Sequence, residues 1–524
     1  MRQDTNTIKQ CVAVLSICIA ICWIHAAEIT IHVKVPARKP SRPAHFNWVF
    51  QSSGKQPPQV GQFACGSYWI APAPGEDTVV LRSLTGNPAN QGKAADLLSC
   101  DIDPVTEKHG LLSGQNHYGN YDPAENILPH LPMPLQAPRG SCLSLVAAMQ
   151  RNEAVTSKGG TRLIVGEVAD AYCVVTVLPS VPPEGGRNML RPNITGMHKE
   201  LLTWDDFDLS RLPAYDFIPR RSEAEWETVA TRWRHATEIF GISVLRKTKR
   251  GPRFTTFSEG GRAFRAHLLI PNYGSGMAQV FNNDVLHLLA PGSFTPGKKK
   301  ALAAIISFGL DLFHARYDRA PDAPPAAWSS GAGQSMGKFL PPVLVAALRR
   351  DESMAHRLRK AALTVHDPDP AMRGPQELRQ IRRGLTGVLL WGDGHPFIRP
   401  KGALCEMDWR YWGELVGGHN YDGYCGKLKP TTRVGKKTTA DPYGYIDGPG
   451  ARPGAAYMGV TAGCFRSFAA AMILIPAVRS VVNCDDPIEY ADRLTRHGLW
   501  TWPDPVAPFP VRPHAANPDV ATAG

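Results

Sequence analysis

The stretch Glu28-Ile-Thr-Ile-His-Val-Lys-Val35 alternates apolar and polar side chains along its whole length. A period of two predicts a strand with one face buried and the other face in solvent. Similar segments follow, separated by Gly, Pro and Asn, at 46–50, 63–70, 78–81, 143–148, 162–168 and 172–178. Because no helical run interrupts them, the sequence predicts a sandwich-like antiparallel β domain over residues 28–200.

The pattern changes near residue 220, where apolar residues begin to recur at helical spacing. Ser222-Glu-Ala-Glu225 has the form of a capping box and opens the first predicted helix, which runs to Trp233. Further helices are predicted at 300–317, 341–350, 352–363, 408–416, 461–478 and 487–497. Helices joined by Gly/Pro loops favour hairpins in an incomplete ring, so we expect an α/α toroid-like domain over 215–503. The predicted fold class is α+β, and a Pro/Ala-rich tail occupies 504–524.

The N-terminus has the pattern of an export signal. Arg2 and Lys9 give a weakly basic start, and an apolar run from Cys11 to Ile24 follows. Ala26 and Ala27 supply the small residues that a signal peptidase requires. Because the run is too short to span a bilayer comfortably, we expect a signal peptide over 1–27. The expected location is secreted or periplasmic, with no membrane attachment after cleavage.

The cysteines favour disulfides over a metal site. Three of the eleven lie in the predicted signal, and an even number remains for an exported chain to pair. No two of the remaining cysteines stand at C-x-x-C spacing and no H-E-x-x-H occurs, so we expect no zinc site. A structural calcium ion is left open. These cysteines form one group before residue 174 and another after 404, namely Cys65, Cys100, Cys142, Cys173, Cys405, Cys425, Cys464 and Cys484.

The chain is basic, with a formal net charge of +12 and a pI of about 9.2. Outside a cell such a charge suits acidic polymers or anionic surfaces, although a generally basic proteome would give the same value. The positive runs 246–250 and 298–300 are short and lack interleaved aromatic residues, so nucleic-acid binding is not expected. An acidic polysaccharide is the predicted partner, and the sequence does not determine the oligomeric state.

Two segments resemble a group of uncharacterised secreted bacterial proteins common in planctomycetes and verrucomicrobia. One is Val60-Gly-Gln-Phe-Ala-Cys-Gly-Ser-Tyr-Trp-Ile-Ala71. The other is Phe308-Gly-Leu-Asp-Leu312, followed by a Gly-rich loop and a helix. In that group the loop usually has the sequence Gly-Gly-His-Gly, followed by Gly-Arg-Lys. In this sequence Gln334 occupies the position of the histidine, and Lys338 falls near the position of the Arg-Lys pair. The resemblance implies a β domain beside a toroid-like helical domain, an arrangement also seen in polysaccharide lyases.

The densest cluster of chemically active side chains lies at 408–412, 417–424 and 441–447. β-Elimination in a uronic-acid polymer requires a group that neutralises the sugar carboxylate, a base for the neighbouring proton and an acid for the leaving oxygen. Arg410 and Asn420 suit neutralisation, and His419 suits the base. Tyr421 or Tyr424 suits the acid. Alternatively, these residues only cover a core, with His419 capping a helix.

Other residues are expected to contact the substrate in a groove between the two domains. Trp409 and Trp412 suit stacking on sugar faces, and the 114–122 loop is expected to reach over the cluster. The remaining predicted contacts are His117, Tyr118, Gln334, Lys338, Tyr443 and Tyr445. The leading prediction is a polysaccharide lyase without a nucleotide or redox cofactor.

Three alternatives remain open. Gly333-Gln-Ser-Met-Gly337 matches the G-x-S-x-G elbow of serine hydrolases, with Ser335 as nucleophile and Asp393 with His395 or His419 as partners. A glycoside hydrolase would use two carboxylates, drawn from Asp311, Asp393, Glu406, Asp408 and Glu414. A non-catalytic glycan-binding protein is the third alternative.

Overall fold

The computed structural model describes most of the β region and much of the helical region. The described residues are 27–35, 44–52, 54, 56–87, 98–102, 133–137, 140–156, 163–194, 198–234, 245–248, 251–254, 274–317, 339–363, 381–383, 389–391, 457–483 and 485–497. The predicted signal peptide, the 114–122 loop, the 408–416 helix and the C-terminal tail lie outside these residues.

The described part of the β region contains nine strands: β1 (Glu28–Val35), β2 (Ala44–Ser52), β3 (Gln59–Gln62), β4 (Tyr68–Ala71), β5 (Val79–Asn87), β6 (Leu98–Ile102), β7 (Leu135–Gln136), β8 (Leu143–Thr156) and β9 (Leu163–Val177). An antiparallel four-stranded sheet has the order β1-β2-β5-β7. A five-stranded sheet has the order β3-β4-β9-β8-β6, and β4 pairs with β9 in parallel while its other pairs are antiparallel. Antiparallel pairing therefore predominates, as predicted, with one exception.

Two predicted strands have different bounds in the structure. The predicted 63–70 strand contains a turn, in which Phe63 accepts a hydrogen bond from the Gly66 N–H group, and only its last residues enter β4. Gly66 has a φ of 85°, a conformation that glycine adopts most easily. The predicted strands 162–168 and 172–178 are one strand, β9, with a bulge opposite Met149 and Gln150.

Both faces of the five-stranded sheet are largely buried along β4 and along the described side chains of β8 and β9. Ile70, Val175 and Val177 point toward the four-stranded sheet and share its core with Trp48. Residues of opposite parity, such as Trp69, Ala71, Val174 and Leu178, belong to the core of the helices. Because neighbouring side chains of a strand point to opposite faces, the molecule has three layers in the order sheet, sheet, helices.

Among the described residues, eight α-helices follow: α1 (Glu223–Arg234), α2 (Gly274–His287), α3 (Pro296–Tyr317), α4 (Leu340–Arg349), α5 (Glu352–Leu363), α6 (Tyr457–Leu474), α7 (Pro476–Val482) and α8 (Asp486–His497). Two short hairpins join them, β10 (Leu245–Thr248) with β11 (Gly251–Phe254) and β12 (Ile381–Arg383) with β13 (Leu389–Trp391). The described strands before residue 178 and the helices after 222 make this an α+β protein, as predicted.

The centre of the helical region is α3, which is buried on every side from residue 301 to 314. Helices α1 and α4 pack on it, and Gly309 allows α4 to come close: an added Cβ would lie 2.5 Å from the carbonyl oxygen of Pro341. Trp233 of α1 lies 5.1 Å from Phe308 and 4.9 Å from Phe281 of α2, measured between ring centroids. These aromatic contacts fix α1, α2 and α3 against one another.

The predicted helix 461–478 is two helices, α6 and α7, with Ile475 between them. Pro476 lacks an N–H group and cannot continue α6, but it suits the first turn of α7. Among the described residues, no single helix is both long enough and apolar enough to span a membrane. Gly463–Leu474 and Pro476–Val482 meet the length and composition criteria only when taken together, and the chain bends by 112° between them.

Candidate functional site

Nearly all the predicted site residues lie outside the described part of the chain. This holds for the predicted catalytic residues Arg410, His419, Asn420, Tyr421 and Tyr424 and for the predicted contacts His117, Tyr118, Gln334, Lys338, Trp409, Trp412, Tyr443 and Tyr445. It also holds for Ser335, Asp393, His395, Glu406, Asp408 and Glu414. These assignments remain predictions.

The predicted catalytic cluster falls in sequence between two described elements, β13 and α6, both of which pack on α8. It follows β13, and the β12–β13 hairpin lies against α8. It precedes Tyr457, the first residue of α6, and α6 packs on α8. The core side chains Cys464, Phe465 and Phe468 hold α6 in place. The described elements on either side of the predicted cluster therefore share contacts with α8.

Asp311 of α3, a candidate carboxylate in the sequence, is part of a closed ion pair. Its oxygens accept two hydrogen bonds from Arg191, one of them of 3.0 Å from Nη1, and a third of 2.8 Å from the N–H group of Ile194. Burial alone would lower the pKa of Arg191, but the Asp311 carboxylate raises it overall. Both side chains are inaccessible to solvent, so Asp311 has a structural role and is not a hydrolase carboxylate.

Glu200 joins α3 to α4. Its carboxylate bonds His314 Nε2 at 2.8 Å and Arg349 Nη1 at 2.5 Å. Burial would raise the pKa of Glu200, but the hydrogen bonds and charges of His314 and Arg349 lower it overall. His314 is 4% exposed, so this cluster ties the chain after the β region to two helices.

A third cluster forms a solvent-open cleft, which we call the arginine cleft. It lies between α1 and α2 and is lined by Arg221, Glu225, Thr228, Val229, Arg232 and Asp284. Its volume is about 190 Å³. The sequence analysis did not identify it, although 221, 225, 228 and 232 follow helical spacing along one face.

Asp284 lies at the inner end of the arginine cleft and accepts hydrogen bonds from both arginines. Arg221 Nη1 donates to one carboxylate oxygen at 2.7 Å, and Arg232 Nη1 donates to the other at 2.6 Å. Trp233 Nε1 adds a bond of 2.8 Å. Each guanidinium carries five N–H donors. Nη2 of both arginines has no hydrogen-bond partner among the described residues, so it remains available to a ligand, whereas Arg232 Nε is buried.

The mouth of the cleft supplies acceptors. Glu225 accepts bonds from Ser222 N and Oγ through Oε2, as predicted for a capping box, and Oε1 has no hydrogen bond to any described residue. These Ser222 bonds lower the pKa of Glu225. Thr228 donates its hydroxyl to the Ala224 carbonyl at 3.0 Å and keeps lone pairs for accepting.

The disulfide expectation stays a prediction, because only four of the eight cysteines have described side chains. Cys65, Cys142, Cys173 and Cys464 form no disulfide with one another, and burial raises the pKa of the Cys173 thiol to about 12. Cys405, Cys425 and Cys484 lie outside the described residues, as does the side chain of Cys100. Within the described ranges, no group of three or more His, Cys, Asp and Glu side chains could hold a metal ion.

Comparisons with known proteins assign no family to this arrangement: no family model, no curated protein and no solved structure matches the chain.

Proposed function

We propose that this chain is an exported polysaccharide lyase that cleaves an acidic, uronic-acid polysaccharide by β-elimination. One observation carries the proposal: the described elements on either side of the predicted cluster, β13 and α6, both pack on α8. Flanking elements that share one packed helix favour a site between them over a linker, because catalytic side chains require fixed positions. The basic charge of the chain also suits an acidic polymer.

In this proposal the residues of the cluster divide the chemistry. Arg410 and Asn420 pair with the sugar carboxylate, which makes the adjacent C–H group acidic. His419 removes that proton, the electron pair forms a C=C bond, and the C–O bond to the leaving sugar breaks. Tyr421 or Tyr424 protonates the leaving oxygen. No nucleotide or redox cofactor takes part.

The helical region is further proposed to be part of an α/α toroid-like ring. In support, α3 is buried on every side and α1 and α4 pack around it. Such a ring beside a β region would leave a groove in which a polymer could lie. The loops that carry Trp409, Trp412, Tyr443 and Tyr445 would line it.

An ultraviolet assay tests the function. We expect the purified mature protein to produce an unsaturated, absorbing end from at least one polymer in a panel of uronic-acid polysaccharides. His419→Ala should abolish the absorbance, whereas His356→Ala, which changes an exposed histidine of α5, should not. New reducing ends without absorbance would replace the proposal with a hydrolase. The absence of both products would leave a binding protein.

A further inference from the structure

We propose that the arginine cleft is a binding site for the carboxylate and hydroxyl groups of one sugar-acid unit, separate from the site of bond cleavage. The carboxylate preference rests on the cleft alone. The choice of a sugar acid rests on the proposed function. Arg221 and Arg232 would hold the carboxylate, and Glu225 and Thr228 would accept from ring hydroxyls.

The charge count on the inner wall supports an anionic ligand. Two guanidinium groups share one carboxylate, that of Asp284, which is 1% exposed. The trio therefore carries one surplus positive charge at the end of the cleft. Arg221 and Arg232 are 13% and 19% exposed, so part of each guanidinium can reach a ligand oxygen in the cleft, and a charge-assisted hydrogen bond to a carboxylate is stronger than one to a neutral acceptor.

Glu225 at the mouth restricts which anions fit. Its carboxylate adds a negative charge at the mouth, away from the two arginines' shared bonds to Asp284, so a dianion such as sulfate would meet more repulsion than a monoanion bound at the inner wall. A hydroxylated monocarboxylate meets donors on the inner wall and acceptors at the mouth.

The size of the cleft limits the ligand to a single ring. Its volume of about 190 Å³ is below the range of roughly 300–1,000 Å³ that encloses larger ligands. A longer polymer would therefore place one unit, or its end, in the cleft and extend into solvent.

Calorimetry with galacturonate and galactose tests the proposal, because the two sugars differ only at the carboxylate. We expect the mature wild-type protein to bind galacturonate about tenfold tighter than galactose or more, as charge-assisted hydrogen bonds predict. Arg232→Gln should remove this preference. The control Arg496→Gln removes an equal charge from an exposed pair on α8 and should not affect it.

A second variant keeps the test valid if Arg232→Gln does not fold. Thr228→Trp fills the mouth and leaves the bonds to Asp284 intact, so it should abolish galacturonate binding. Equal affinity for both sugars, absent binding by the wild type, or full binding by Thr228→Trp would overturn the proposal. Binding without β-elimination of any polymer would instead overturn the lyase function and leave the cleft assignment standing.

Discussion

Two arginine–aspartate clusters in this protein use the same chemistry in different surroundings. Arg191 and Asp311 are 1% and 0% exposed, and their charges cancel. Arg221 and Arg232 are 13% and 19% exposed and share the single buried carboxylate of Asp284. The charges of the first cluster balance out of contact with solvent, whereas the second has an extra cation and access to water. The balance of charges and their exposure to water, more than the residue types, distinguish a structural ion pair from a candidate binding site.

The closed cluster should give the largest effect on stability. Asp311→Ala leaves the Arg191 guanidinium buried without a counter-charge, and we expect the free energy of unfolding to fall by about 3–5 kcal/mol. Urea denaturation followed by circular dichroism would measure it. The double variant Arg191→Met with Asp311→Leu should recover much of the loss, since it removes both charges. A fall below about 1 kcal/mol for Asp311→Ala would contradict the assignment.

Asp284→Ala should have a smaller effect, although it removes three hydrogen bonds. Arg221 and Arg232 are partly exposed and can turn toward water, but Trp233 Nε1 loses its buried acceptor. We expect a loss of about 2–3 kcal/mol in the same denaturation experiment. If this variant were less stable than Asp311→Ala, the contrast between the open and closed clusters would be wrong.

Glu200 should make stability depend on acid pH. Its pKa is lowered in the folded state, so its stabilisation is complete above the unfolded value of about 4.3 and is lost as pH falls through the folded pKa. Glu200→Gln should lower stability at pH 7 by about 1.5 kcal/mol and weaken the acid dependence below pH 4.3. Denaturation at pH 7 and at several acid pH values measures both. Identical acid slopes for the two proteins would rule out this role.

The sequence predicted local elements well where one rule applied. Alternation gave β1 with its correct bounds, and the capping box located the start of α1. Helix α2 was missed because Gly274, Gly276 and two asparagines obscure its periodicity. The parallel pair β4–β9 could not be predicted, because strand order depends on contacts distant in sequence.

The arginine cleft was missed for a similar reason. Glu225 and Arg232 lie on one face of α1, Arg221 lies just before its first residue, and the spacing of the three can be read from the sequence. Asp284, which gives the cleft its geometry, comes from α2, a helix that the sequence analysis did not predict. Asp311 was a candidate catalytic carboxylate because the sequence alone shows neither that its side chain is buried nor that it pairs with Arg191.

We expect the smallest effect on the free energy of unfolding for an exposed ion pair whose N–O distance equals that of one ion pair in the arginine cleft. Lys300 Nζ lies 2.7 Å from Glu227, as Arg221 Nη1 does from Asp284. Lys300 and Glu227 are 31% and 49% exposed, so water and salt already screen their charges. Glu227→Gln should change the free energy of unfolding by no more than about 0.5 kcal/mol, measured by urea denaturation at low and high salt. Because the distances are equal, a loss as large as that of Asp284→Ala would mean that distance, not burial, sets the strength of these pairs.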